Sequence, residues 1–165
     1  MKEGVCLGIK VVEKEEIKVV GISWNGSYSQ LDVIPRLFYL MEERLEEVPF
    51  QTKEPVLIAP FHSRESEITY YVTTPVEEVK DIPKGMVGFS IPRKYYVCTS
   101  HKGSLKEIEH TYRRLHAWME DYGYEQDHQA LSLEIYKEEH KWQNAVGDLH
   151  FDIYLPVKTY KTQAY

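Results

Sequence analysis

Cysteine is scarce in this chain: Cys6 and Cys98 are the two among 165 residues. Two cysteines make no disulfide framework, and a chain of this length buries roughly 70% of its unfolded surface without cross-links. The reading that follows is a pair of reduced thiols in a cytoplasmic protein. Long apolar runs are missing too. No segment approaches the ~20 apolar residues of a membrane span, and Met1-Lys2-Glu3-Gly4-Val5 lacks the core of a signal peptide. A membrane partner is therefore not expected. Blocks of Lys and Arg are absent, and the net charge is −6. Direct nucleic-acid binding is not expected on electrostatic grounds. No HExxH, CxxC or Gly-x-Ser-x-Gly spacing occurs, so the expectation is no metal, no cofactor and no nucleophile elbow.

Tyrosine is plentiful: thirteen, against five Phe. Its ring is apolar and its tip polar, which suits half-wet pockets and strand surfaces.

Order along the chain shows an internal repeat. With Gly26 set on Gly103, Ser27 falls on Ser104, Leu31 on Ile108, Asp32 on Glu109 and Arg36 on Arg113. Upstream, Val20, Ile22 and Trp24 fall on Val97, Thr99 and His101. Two helical stripes follow: Leu31, Ile34, Phe38, Met41, Leu45, and Ile108, Thr111, Leu115, Trp118, Tyr122. Both step by 3 and 4, the mark of one amphipathic face. Strand patterns come next. Pro55 to Phe61 parallels Ala130 to Tyr136; Ile68 to Val76 parallels Leu149 to Val157, with Pro75 on Pro156. Ser104 with Glu107 predicts a capping box for the second helix. The first helix is expected to start near Asp32, with Pro35 in its opening turn. Ile82 to Met86 reads as the link between halves, and Thr159 to Tyr165 as a frayed end.

The expected fold is α+β, one domain over residues 1–165 with halves at about 11–80 and 88–158. Each half is a βαββ unit. The two join as an antiparallel sheet with both helices on one face and a ligand cleft on the other. Alternation along Leu131 to Tyr136 splits Leu131, Leu133 and Ile135 from Ser132, Glu134 and Tyr136. If the apolar set faces the helices, Glu134 faces away. Phe151, Ile153 and Leu155 take the helix side of the last strand, as do Ile68, Tyr70 and Val72 in the first half. Tyr71 and Tyr154 then join Glu134 on the far face. Phe61 takes the slot of Tyr136, and Ala59 that of Glu134. A carboxylate among aromatic walls suits a flat or apolar cation.

Several stretches together resemble a known family. They are Ile91-Pro92-Arg93-Lys94-Tyr95-Tyr96-Val97, Thr99-Ser100-His101-Lys102-Gly103, Ala117-Trp118-Met119, Glu134-Ile135-Tyr136, and Asp152-Ile153-Tyr154-Leu155-Pro156-Val157. Val19-Val20-Gly21-Ile22 resembles its first strand. The resemblance runs from about Val11 to Lys158 and is to the GyrI-like small-molecule-binding domain of the SOUL/GyrI-like fold. The same domain serves as effector-binding domain in AraC-type and MerR-type multidrug-responsive activators. It implies a cleft whose acidic residue, here Glu134, pairs with cationic aromatic compounds. It also implies ligand-binding roles for Tyr136, Tyr71, Tyr154, Trp24 and Trp118, and Phe61 is added to this ligand-binding set as the repeat counterpart of Tyr136. Within this sequence there is no room for a helix-turn-helix before Val11, so a transcriptional or drug-response role is expected to act through a separate regulator.

The favoured function is thus capture of amphipathic aromatic or cationic small molecules. The resemblance also implies an alternative, hydrolysis of strained cyclopropane-containing toxins, with Glu134 as general base and Tyr136 beside it. Another is a protein partner, because some members resemble the gyrase-inhibitor protein of enterobacteria. The charged run Glu42 to Glu47 reads as the solvated side of the first helix. His150 and Asp152 beside Glu134 form the weaker metal reading, and Cys98 reads as a small buried residue rather than a nucleophile.

Overall fold

The computed structural model describes residues 8–52, 54–55, 57–136 and 149–158. The leading residues, Cys6 and the stretch 159–165 discussed above lie outside them. Strands β1 (Lys10–Lys14) and β2 (Ile17–Ser27) lead into helix α1 (Ile34–Glu43). Strands β3 (Leu57–Ser63) and β4 (Glu67–Val76) complete the first half. The second half repeats the order: β5 (Val87–Ile91), β6 (Lys94–Gly103), α2 (Ile108–Tyr122), β7 (Ser132–Tyr136) and β8 (Leu149–Pro156). No helix among the described residues is long and apolar enough to cross a membrane.

The strands form one eight-stranded sheet in the order β1-β6-β8-β7-β3-β4-β2-β5, with antiparallel pairings throughout. The halves meet at β7 and β3, in the middle. The outermost strands are exchanged. β1 precedes β2 in sequence but pairs with β6, and β5 precedes β6 but pairs with β2. Each half is therefore closed by a strand from the other. Sequence patterning did not foresee β1 and β5 as edge strands.

Local details repeat as well. Gln51 bridges Val76, and Gln126 bridges Val157. The Thr52 amide donates to the Pro75 carbonyl at 3.0 Å, and the Asp127 amide to the Pro156 carbonyl at 2.8 Å. Both helices are entered through a 3-10 turn, Tyr28–Val33 and Leu105–Glu107. Pro35 sits in the first turn of α1, where its missing N–H leaves no helical bond unmade. Capping differs from expectation. The Ser27 amide donates to Gln30 Oε1 at 2.9 Å, whereas Ser104 makes no side-chain cap bond. Helix α2 ends at Gly123, whose φ of 76° is the left-handed conformation of a helix stop.

Leu37, Phe38 and Met41 of α1, with Leu115 and Met119 of α2, share one core with Val72, Phe151, Ile153 and Leu155 of the sheet. Both helices therefore lie on one face. The second stripe is rotated slightly from its predicted position: Met119 is buried, while Tyr122 is 63% exposed. On the opposite face a second apolar cluster holds Val19, Ile58, Ile91, Tyr96, Cys98, Leu133, Ile135 and Tyr154. Cys98 is disulfide-bonded, which corrects the reading of a reduced thiol at that position.

Candidate functional site

Register decides where Glu134 points. On β7 it lies directly opposite Ile153 of β8 and Ala59 of β3. Directly opposed residues on neighbouring strands share a face. Ile153 and Ala59 belong to the helix-side core, so Glu134 faces the helices. The expectation that it faces away is corrected. Leu133 and Ile135, assigned above to the helices, lie in the far cluster. Every residue of β7 is buried, and both its faces meet apolar layers. Alternation separates the two residue sets but does not say which set meets the helices.

Glu134 is 8% exposed. The Tyr70 hydroxyl donates to Oε1 at 2.6 Å, and the Tyr112 hydroxyl to Oε2 at 2.6 Å. The Tyr136 hydroxyl also hydrogen-bonds it. Distances of 2.6 Å fall in the range of O–H bonds to an ionised carboxylate. Burial pushes the Glu134 carboxyl above its ordinary value, and the hydroxyls of Tyr112, Tyr70 and Tyr136 pull back against it. The three phenols are pushed well above theirs, chiefly by burial, with the neighbouring carboxylate adding to it. Among the described residues no Lys, Arg or His forms an ion pair with Glu134.

Aromatic rings surround this group in two related rows. Phe61 stacks on Tyr70 at 5.8 Å, and Trp24 lies opposite Tyr70 on the next strand. In the other half Tyr136 stacks on Phe151 at 4.8 Å, and His101 lies opposite Phe151 at 5.3 Å. Phe61 and Tyr136 are repeat equivalents, as are Trp24 and His101. Ile68 and Leu149 begin the matched strands, so Tyr70 and Phe151 correspond too. Each stack thus holds one Phe and one Tyr, and both tyrosines aim their hydroxyls at Glu134. Phe38 of α1 contacts Tyr136 and Tyr70 edge-on, and Phe61 meets the ring of Tyr112. The symmetry breaks where Ala59 stands opposite Glu134.

Of the residues named from sequence, Glu134, Tyr136, Phe61 and Trp24 lie on the helix side. Tyr71 and Tyr154 do not. Tyr71 packs against Phe89, and Tyr154 against Tyr96 with Lys14 Nζ over its ring, all on the far face. Trp118, on α2, packs against the helix-side core, with its ring beside Tyr122 and Tyr124. Asp152 pairs with Ile135 and so points away from Glu134, which separates the residues of the metal reading. No group of three potential metal ligands occurs among the described residues. Tyr70 and Tyr112, which bond Glu134, were not named as candidates from sequence. Tyr70 was already on the helix-side set of β4. Tyr112 falls three residues before Leu115 and seven before Met119, a helical spacing that points it inward.

A GyrI-like small-molecule-binding model matches residues 8–158. The chain belongs to the GyrI-like family. Among curated proteins there is no match. Among solved structures, this GyrI-like chain is similar to SAV2435 bound to tetraphenylphosphonium, at 13% identity and a TM-score of 0.69. That match covers 92% of this chain and 94% of the other. The C-terminal domain of EcmrR matches at 19% identity and a TM-score of 0.66, over 93% and 98% of the two chains. A hydrolase from Listeria innocua matches at 14% identity and a TM-score of 0.54, over 94% of each. At these identities the likeness is one of fold.

Proposed function

We propose that this GyrI-like domain captures amphipathic aromatic cations at Glu134. The observation that carries the reading is a buried carboxylate, ringed by Tyr70, Tyr112, Tyr136, Phe61 and Phe38, with no cationic partner among the described residues. A buried anion of this kind is costly, and a cation brought to it offsets that cost. The surrounding ring faces add cation–π attraction and apolar contact. SAV2435, which shares the fold, has been solved with one such cation. By analogy with EcmrR, solved in complex with DNA, we extend the reading to a role in drug-responsive regulation. Titration with tetraphenylphosphonium, for wild type and Glu134→Gln, tests the site. Saturable binding that weakens in the variant supports it. Binding that is absent, or unchanged by the substitution, sinks it.

A second reading, hydrolysis of a strained electrophile, draws on one observation: burial raises the proton affinity of Glu134 above that of an ordinary carboxylate, the direction that favours a general base. Multiple ring-opened products per protein from an electrophilic cyclopropane, lost in Glu134→Gln, would favour it over simple capture.

A further inference from the structure

From the contacts that open α2 we infer that His101 is a positioning residue: it fixes the rotation of α2 that brings the Tyr112 hydroxyl to Glu134. What that carboxylate is used for rests on the cation-binding reading above. His101, on β6, is 2% exposed. Its Nε2 lies 3.2 Å from the Ser104 carbonyl oxygen, and its Nδ1 lies 2.8 Å from Thr111 Oγ1. A carbonyl only accepts, so Nε2 carries the proton and donates. In the neutral ring Nδ1 then accepts from the Thr111 hydroxyl. One buried imidazole thus grips α2 at its entrance and again in its first turn.

Thr111 is followed by Tyr112, whose hydroxyl reaches Glu134 Oε2 at 2.6 Å. Leu115 and Met119, which continue the buried stripe of Thr111, make apolar contacts. Apolar burial is non-directional and sets no sharp rotation, whereas a hydrogen bond is directional. A rotation of about 10° moves a group about 6 Å from a helix axis by about 1 Å, enough to break such a bond. The other half shows what these residues replace. Trp24 stands at the place of His101, Ile34 at that of Thr111 and Pro35 at that of Tyr112, while Ala59 stands at that of Glu134. Ile34, Pro35 and Ala59 carry no polar side-chain atom. At this place in the repeat, the polar grip stands only in the half whose helix delivers a hydroxyl to a carboxylate.

The test reads the Glu134 carboxyl without ligand. Glutamate isotope-labelled at Cδ is titrated by NMR, with Glu134→Gln to assign the signal. Wild type, Thr111→Val, Thr111→Ser and His101→Leu are compared, each also in a Tyr112→Phe background, after thermal melts establish folding. The Tyr112 bond pulls the Glu134 carboxyl down against its burial. Thr111→Val should therefore raise the titration midpoint by about one pH unit, a tenfold gain in proton affinity, as a charge-assisted bond is lost. His101→Leu should raise it too, and Thr111→Ser, which keeps a hydroxyl, should stay near wild type. In the Tyr112→Phe background Thr111→Val should add nothing. Any through-space effect of the histidine's own charge persists in that background and is subtracted. A midpoint unmoved by Thr111→Val and His101→Leu, or moved equally in the Tyr112→Phe background, overturns the inference. So does Thr111→Ser behaving like Thr111→Val. Tetraphenylphosphonium titrations of wild type judge the cation reading separately: if none binds, that reading fails, and the carboxyl titration still decides whether His101 places Tyr112.

Discussion

The hydroxyl of Tyr112, on α2, lies 2.6 Å from Oε2 of Glu134, on the central strand β7. One polar contact therefore ties a helix to the middle of the sheet. Tyr70 holds the other oxygen from β4, in the opposite half of the repeat. Elements from both halves converge on one carboxylate.

Removing its charge should change specificity. Glu134→Gln keeps the shape and loses the anion. Binding of tetraphenylphosphonium should weaken by about 1–3 kcal/mol, the range of a charged partner's contribution, with neutral aromatic analogues nearly unaffected. Calorimetric titration of both ligand classes measures this. Equal losses for the two classes would assign Glu134 a purely structural role.

Stability should depend on pH through the same group. The carboxyl is pushed above its ordinary value of 4.5 in the folded protein. Between those two values the folded state binds more protons than the unfolded one, so stability falls as pH rises. The stabilising influence of the protonated form is fully present below about 4.5 and is lost as pH passes the raised folded value. Glu134→Gln does not titrate there. Thermal melts across the range from mildly acidic to mildly basic should show the variant gaining on wild type as pH rises. A constant difference would contradict this. Cation affinity should run the other way, increasing with pH as the carboxyl ionises.

Tyr112→Phe should destabilise the ionised form more than the protonated one. The lost bond is charge-assisted, worth roughly 1.5–3 kcal/mol. It should also loosen α2 from the sheet, since this bond is its polar tie to β7. Hydrogen exchange in Ile108–Tyr122 is the readout. Faster exchange confined to α2 is expected, and unchanged exchange would show that the apolar contacts of Leu115 and Met119, with the Thr111–His101 hydrogen bond to β6, suffice to hold the helix.

Gly21 offers a test of the sheet. A Cβ there would sit 2.1 Å from the Val72 carbonyl oxygen and 2.5 Å from Thr73 Cα. Both are backbone atoms of the paired strand β4, which cannot rotate aside. Gly21→Ala should cost about 1–3 kcal/mol or more, typical of overpacking. A melting temperature lower by several degrees is expected. An unchanged value would mean that β2 and β4 separate easily at this point.

The exchanged edge strands predict interdependent halves. Residues 87–158 alone would lack β1, and β5 would lose its partner β2. That fragment should show little stable secondary structure by circular dichroism. A cooperative melt from it would show that the exchange is dispensable.

The sequence by itself determined much of this protein. The Gly26–Gly103 match, the two helical stripes and the strand patterns specified two like halves, because side-chain periodicity is local and survives low identity. It also singled out Glu134 as a carboxylate in a strand with buried neighbours. Tertiary structure decided which face that strand presents. Leu133 and Ile135 are as apolar as Phe151 and Ile153, and both sides of β7 are buried. Local pattern is therefore symmetric between the two answers. The pairing of Glu134 with Ile153 and Ala59 broke the tie, and register is a long-range property. The same pairings put Tyr71 and Tyr154 on the face opposite Glu134. They set Tyr70 beside its carboxylate, and the packing of α2 across the sheet set Tyr112 there. The exchange of β1 and β5 was also beyond reach, since a short edge strand carries no sign of which partner it will join.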